Sequence, residues 1–164
     1  MTRRELLALA APMFALGCKP ALVKHNTSVR KKGLCLTTNK RPPEKALRFL
    51  EAVGAGWVYN WNVDPLPGLP ATVEFVPMVY HGRSEVDRTI SRIKAEAGTR
   101  GYDTLLGFNE PDAKTQGVTT VEQALDLWPK LESTGLRLGS PATVHPDNEW
   151  MMAFMEGGAS RRLP

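Results

Sequence analysis

With 164 residues, 42% of them hydrophobic and 23% charged, the chain has the length of one domain with a substantial core and an ordinary globular composition. Its formal charge of +4 belongs to the ends: residues 1–32 hold seven of the 21 basic residues and one of the 17 acidic ones, and Arg161 and Arg162 add two more. Residues 33–160 are left with 12 basic and 16 acidic side chains and no Lys/Arg stripe interleaved with aromatics, which argues against a nucleic-acid partner.

The first residues read as an export signal over 1–18. Thr2-Arg3-Arg4 is a charged start, and Leu6 to Leu16 is an apolar run of 11 residues, short of the roughly 20 needed to span a bilayer. The adjacent arginines in TRRELL resemble a twin-arginine signal. Leu16-Gly17-Cys18 resembles a lipoprotein cleavage site, where the Cys18 thiol would carry the membrane anchor, although Ala15 stands where such sites prefer Leu. A plain secretory signal with an incidental Cys is the alternative. Either way the expected location is outside the bacterial cytoplasm: periplasmic, cell-surface or extracellular. Residues 19–30 read as a linker, and 31–164 as the folded unit. Cys35, inside the apolar run LCL, reads as a small buried hydrophobe. The two cysteines form neither a disulfide framework nor a metal-ligand spacing, so no metal is expected.

From Lys31 onward, short apolar or aromatic runs alternate with helical stretches. The runs are Gly33–Leu36, Trp57–Trp61, Glu74–Tyr80, Thr104–Phe108 and Leu136–Gly139, with starts 24, 17, 30 and 32 residues apart. After the first, Pro42-Pro43 can start a helix with Ala46, Leu47, Leu50 and Val53 on its apolar face and Gly54 as its cap. Ser84 with Asp87 resembles a capping box opening a helix along Val86, Ile90, Ile93 and Ala97, stopped by Gly98. Thr119 with Glu122 repeats the device ahead of Val121, Leu125, Trp128 and Leu131, with Pro129 expected to kink or end the helix. A last, shorter helix is expected over Asn148–Met155. Strands alternating with helices imply an α/β fold with parallel strands and right-handed crossovers. A doubly wound sheet fits the pattern less well, because GLCLTTNKRPP carries no Gly-rich phosphate loop after the first strand. The favoured architecture is the N-terminal five β/α units of a (β/α)8 TIM barrel, incomplete.

In either parallel architecture, functional groups gather just past the C-terminal ends of strands. Those positions hold Thr37, Thr38 and Asn39; Asn60 and Trp61; Met78, Tyr80 and His81; Asn109, Glu110, Pro111 and Asp112; and Ser140, Pro141, Thr143 and His145. In LLGFNEPD a carboxylic acid directly follows an Asn. Glycosidic bonds break through an oxocarbenium-like transition state, so the leaving oxygen needs a proton that a suitably tuned glutamic acid can donate. The neighbouring amide can hydrogen-bond a sugar 2-hydroxyl. An isolated Asn-Glu-Pro more often caps a turn or pairs with an arginine; its place after an apolar strand in the fourth unit favours chemistry.

The order of KKGLCL, WVYNW, EFVPMVY, LLGFNEPD and LGSPA resembles glycoside hydrolase family 128, the glycosyl hydrolase catalytic core family, over residues 31–164. That family includes β-1,3-glucanases and relatives of fungal alkali-sensitive-linkage proteins. The resemblance implies a (β/α)8 barrel acting on β-glucan by a retaining mechanism, with the Glu of the strand-4 NEP motif as acid/base and a strand-7 Glu as nucleophile. It makes Glu110 the acid/base and Asn109 its substrate-binding neighbour, with a polysaccharide or oligosaccharide as partner and no cofactor.

Other expectations come from position. In WVYNW, Trp57, Tyr59 and Trp61 share one face of a strand, so not all can line a cleft. Trp61 and Asn60, nearest the strand end, are the expected cleft residues, and Trp57 is assigned to the core. Asn39, Tyr80, His81 and His145 are further candidates for sugar contacts, although a loop histidine is more often solvated or capping. Met78 is expected in the core, and Asp112 is expected to cap the turn after the motif. A full barrel needs about 250 residues, so a second catalytic carboxylate is missing; Glu74, Glu149 and Glu156 are placed wrongly to supply it. The expectation is a truncated chain, poorly active or inactive alone. A carbohydrate-binding lipoprotein and a non-functional remnant are the alternatives.

Overall fold

A computed structural model describes residues 31–37, 42–82 and 85–161. The export signal, the linker, Cys18 and Asn39 lie outside the described residues, as does Ser84 of the first expected capping box. Among the described residues, no helix is long and apolar enough to cross a membrane.

The fold is mixed α/β, with five short strands and four helices among the described residues. Strands β1 (Gly33–Cys35), β2 (Trp57–Tyr59) and β3 (Glu74–Phe75) form one parallel sheet; β4 (Thr104–Leu106) and β5 (Arg137–Gly139) form another. Leu34 pairs with Val58, Val58 with Phe75, and Leu105 with Leu138. A parallel bridge between Met78 and Leu106 joins the two sheets. Spatial order therefore follows chain order, without the reversal that a doubly wound sheet requires.

The strands are shorter than the apolar runs, for local reasons. Trp61 adopts φ 58°, which ends the extended backbone of β2, and Pro77 has no N–H for the ladder after β3. Alternation of strands and helices also lapses once. Residues 60–73 between β2 and β3 form a loop rather than a helix, because Pro65, Pro67 and Pro70 remove donors and Gly68 turns at φ 78°.

Helix α1 (Pro43–Val53) begins at its prolines and buries Ala46 and Leu50. It ends at Gly54, φ 62°, where the Gly54 and Ala55 N–H groups return to the carbonyls of Glu51 and Leu50. Helix α2 (Val86–Arg100) runs through the expected stop at Gly98. The left-handed turn falls instead at Gly101, φ 67°, where the Gly101 and Tyr102 amides both close on Ala97. A helical glycine costs only about 1 kcal/mol relative to Ala, too little to break a helix whose next residues complete a good cap.

The capping box of α3 (Val121–Glu132) lies one residue later than expected. Thr120 Oγ1 accepts from the Gln123 amide at 3.2 Å, and Gln123 Oε1 accepts from the Thr120 amide at 3.0 Å. Thr119 is buried and serves elsewhere: its hydroxyl accepts from Gly82 N–H and donates to the Gly117 carbonyl. Pro129 sits inside α3 without ending it. Helix α4 (Glu149–Ser160), capped by Asn148, extends five residues beyond the expected end.

The main core lies between the strands and the helices. Val58, Phe75, Leu105 and Phe108 meet Leu50, Ile90, Ile93, Leu125 and Leu131 there. An aromatic ladder joins Phe108 to Trp128, Trp128 to Phe154 and Phe154 to Trp150, with ring centroids 6.4, 5.2 and 5.4 Å apart. On the opposite face of β2, as alternation requires, Trp57 stacks with Tyr59 at 6.5 Å; Trp61, past the strand end, meets the Tyr59 ring edge-on at 5.3 Å. Trp57 is only half-buried there, its indole lying across Gly33 of β1, so the core assignment holds in part. Cys35 departs from expectation. It is exposed, because the register Cys35–Tyr59 turns its thiol to the face of Tyr59, opposite the core-facing Leu34 and Val58.

Candidate active site

The segments that follow β2 to β5 carry the expected residues that the structure describes, each held in a different way. At β4 the ladder continues past the strand. Asn109 N–H donates to the Tyr80 carbonyl at 2.9 Å, and Glu110 N–H donates to the Ala142 carbonyl at 2.7 Å. Asn109 and Glu110 are thus gripped between the ends of β3 and β5. Glu110 has φ 41°, and Trp61 with Glu110 are the two non-glycine residues of positive φ among those described. Such backbone costs of order 1–3 kcal/mol and persists where surrounding contacts over-determine it, commonly at functional sites.

Asn109 is 9% exposed, and its Oδ1 accepts the Trp61 indole N–H at 3.1 Å. An indole nitrogen only donates, so the amide oxygen must face it. Among the described residues no acceptor takes Asn109 Nδ2, and none pairs with the half-buried Glu110 carboxylate.

Asn60 spends its side chain on the loop after β2: Nδ2 donates to the Asp64 carbonyl at 2.8 Å and Oδ1 accepts from the Asn62 amide at 3.1 Å. Asp64 in turn takes a two-pronged grip from the Arg92 guanidinium of α2, which pushes Arg92 above the ordinary arginine range. Tyr80 donates its phenol to Gln116 Oε1 at 2.5 Å and meets the ring of half-buried His81 edge-on at 5.9 Å. Tyr80, His81, Trp61, Asp64 and Arg92 border a cavity of about 350 Å³ beside the rim. Met78, buried as expected, forms part of its floor. His145 lies exposed on the loop after β5, where its carbonyl accepts from Thr143 Oγ1 and the Asn148 amide.

Asp112 does not cap the turn after the motif. Its carboxylate accepts from Val144 N–H at 3.1 Å and from Asn148 Nδ2 at 2.5 Å, tying the β4 loop to the β5 loop and to the start of α4. Two contributors lacked a local signal. Gly117 packs so closely under the rim that a methyl there would meet the carbonyl oxygens of Asn109 and Tyr80. Gln116 anchors Tyr80 across 36 residues of chain. Their place in the turn KTQGV marked only a loop. Among the described residues, no group of three His, Cys, Asp or Glu side chains could hold a metal ion.

This arrangement offers one carboxylate and one oriented amide on a rim flanked by Trp and Tyr, suited to hydrogen-bonding a neutral polyol. An endo-β-1,3-glucanase of glycoside hydrolase family 128, subgroup I, from Amycolatopsis mediterranei, solved with laminaritriose, matches with TM-score 0.67 and 40% identity. The match covers 81% of this chain and 53% of that one. A mutant of the same enzyme with laminaripentaose matches with TM-score 0.69 and 39% identity, over 82% and 54% of the two chains. Alkali-sensitive linkage protein 1 of Schizosaccharomyces pombe is 29% identical over 109 residues, 62% of this chain and 19% of that protein. The chain thus spans about half the length of the solved enzymes and about a fifth of the yeast protein. The model of the glycosyl hydrolase catalytic core matches residues 35–160, both Asn109 and Glu110 within it, and the chain belongs to that family.

Proposed function

We propose that this chain contributes the acid/base half of a retaining β-1,3-glucan hydrolase, its five strands being the first five of a (β/α)8 barrel. Glu110 protonates the leaving glycosidic oxygen and then takes a proton from the incoming water. Asn109 Nδ2 donates to the 2-hydroxyl of the sugar at the cleavage point, a bond that strengthens in the transition state. The observation that carries this is the position of Asn109-Glu110: held between Tyr80 and Ala142 at the strand ends, with Glu110 in strained backbone. The sequential parallel strands and the glucanase neighbours solved with laminari-oligosaccharides support it.

A retaining pair places its carboxyl groups about 5–5.5 Å apart. Among the described residues, two carboxylates near the rim are held by other groups, Asp112 by Val144 and Asn148 and Asp64 by Arg92, and Glu85 borders the neighbouring cavity at the start of α2. Residues 1–164 alone therefore bind saccharide without turning it over. The charged start and apolar run of residues 1–18 direct export, with Cys18 as the lipid-bearing residue if anchoring occurs.

The test is calorimetric titration of the purified chain with laminaripentaose, alongside reducing-sugar release from laminarin. Binding that persists in Glu110→Gln, without release of sugar, is expected. Turnover abolished by Glu110→Gln would show that the chain needs no second carboxylate from elsewhere, and absence of binding would sink the saccharide assignment.

A further inference from the structure

We propose that Trp61 is a positioning residue: its indole N–H locks the Asn109 amide so that Nδ2, not Oδ1, faces the bound sugar. This rests on the rim being a saccharide site and assigns Trp61 a part distinct from the stacking platform that its ring alone would suggest.

An Asn amide turned over by 180° exchanges a donor for an acceptor, and a half-turned amide offers neither well. At Asn109 the choice is made by the Trp61 indole, a donor with no accepting capacity, 3.1 Å from Oδ1 and 48 residues away in the chain. The partner is itself held firmly. Trp61 sits at φ 58°, a conformation a bulky side chain rarely adopts, and its neighbours oblige it to stay there. Asn60 closes the loop on both sides through Asn62 and Asp64, Arg92 grips Asp64 from α2, and the Tyr59 ring meets the Trp61 ring edge-on. All these contacts hold one side chain whose single polar atom is given to Asn109. The loop after β2 therefore works as a clamp, carrying the order of α2 into the orientation of an amide on β4.

The experiment is a double-mutant cycle in the full chain, read by titration with laminaripentaose. Trp61→Phe keeps a ring of similar character and the same backbone demand but removes the N–H. It is expected to weaken binding about tenfold, the size for a buried acceptor left unpaired. In an Asn109→Ala background the same change is expected to alter affinity less than about twofold, because Trp61 acts through a group no longer present. Equal losses in the two backgrounds, or no loss from Trp61→Phe in the unaltered one, would overturn the positioning role.

A measurement without ligand separates the clamp from the function. The Trp61 indole N–H resonance, identified by its disappearance in Trp61→Phe, should exchange slowly with solvent and faster in Asn109→Ala. An exchange rate indifferent to Asn109 overturns the clamp, whereas a protected indole in a chain that binds no pentasaccharide overturns the saccharide assignment and with it the positioning role.

Discussion

Gly117→Ala adds one methyl group beneath the rim, where room is already exhausted. The new carbon would stand 2.5 Å from the Tyr80 carbonyl oxygen and closer still to that of Asn109. Ordinary carbon–oxygen contacts begin at about 3.3 Å, so about 1 Å of movement is required. Both obstructing atoms are backbone, and the same stretch carries the ladder bond from Asn109 N–H to Tyr80, so no side chain can swing aside instead. Overpacking of this kind costs about 1–3 kcal/mol. At about 2–4 °C per kcal/mol for a chain of this size, the melting temperature should fall by about 2–12 °C. Binding of laminaripentaose should fall as well, since the displaced segment carries Asn109 and Glu110. Gly98→Ala is the matched control: Gly98 lies within α2 with nothing inside 4 Å of the new carbon, so it should stabilise by about 0.5–1 kcal/mol. Calorimetric melting of the two variants checks the reasoning. A Gly117→Ala protein melting at or above the parent temperature, with unchanged affinity, would refute it.

Two further outcomes concern the core and the response to pH. Leu105→Ala empties a fully buried position on β4 and should cost about 2–5 kcal/mol, whereas Met155→Ala on the exposed side of α4 should change little; chemical denaturation measures both. Burial, followed by a hydrogen bond to Cys35, raises the pKa of Tyr59, and burial raises that of Tyr102. A phenol held neutral by the fold adds stability that is complete below the unfolded value of about 10 and lost as pH climbs through the higher folded one. Tyrosinate absorbance should therefore develop later in Tyr59-containing protein than in Tyr59→Phe, and unfolding should become easier above about pH 10. An identical alkaline profile in Tyr59→Phe would contradict this for Tyr59.

Much of this architecture is legible in local pattern, because burial imposes periodicity. The apolar faces Ala46–Leu50 and Ile90–Ile93 and the left-handed turn at Gly54 need only a few neighbouring residues to decide them. Asn109-Glu110 stands out for the same reason, a polar pair immediately after an apolar strand. What escaped depends on partners far away in the chain. Thr119 and Thr120 are equivalent as cap candidates until Gly82, 37 residues before Thr119, claims the first hydroxyl. Asp112 reads as a local cap until the β5 loop brings Val144 and Asn148 within reach. Cys35 looks internal because its neighbours are apolar, yet only the pairing with β2 decides which face its thiol takes. Trp61 reads as a cleft residue from its place at the strand end, and its bond to Asn109 emerges only when the ends of β2 and β4 meet at the rim.

Since spatial order equals chain order, each described strand meets the next after closing a loop of only 17 to 33 residues. The entropy of such closures grows only with the logarithm of their length, so none of the pairings among these five strands waits on a distant part of the chain. A ribosome releasing this polypeptide from its N-terminal end thus delivers each strand beside the one already docked. Assembly can keep pace with synthesis, and the growing edge always belongs to the segment that has just emerged.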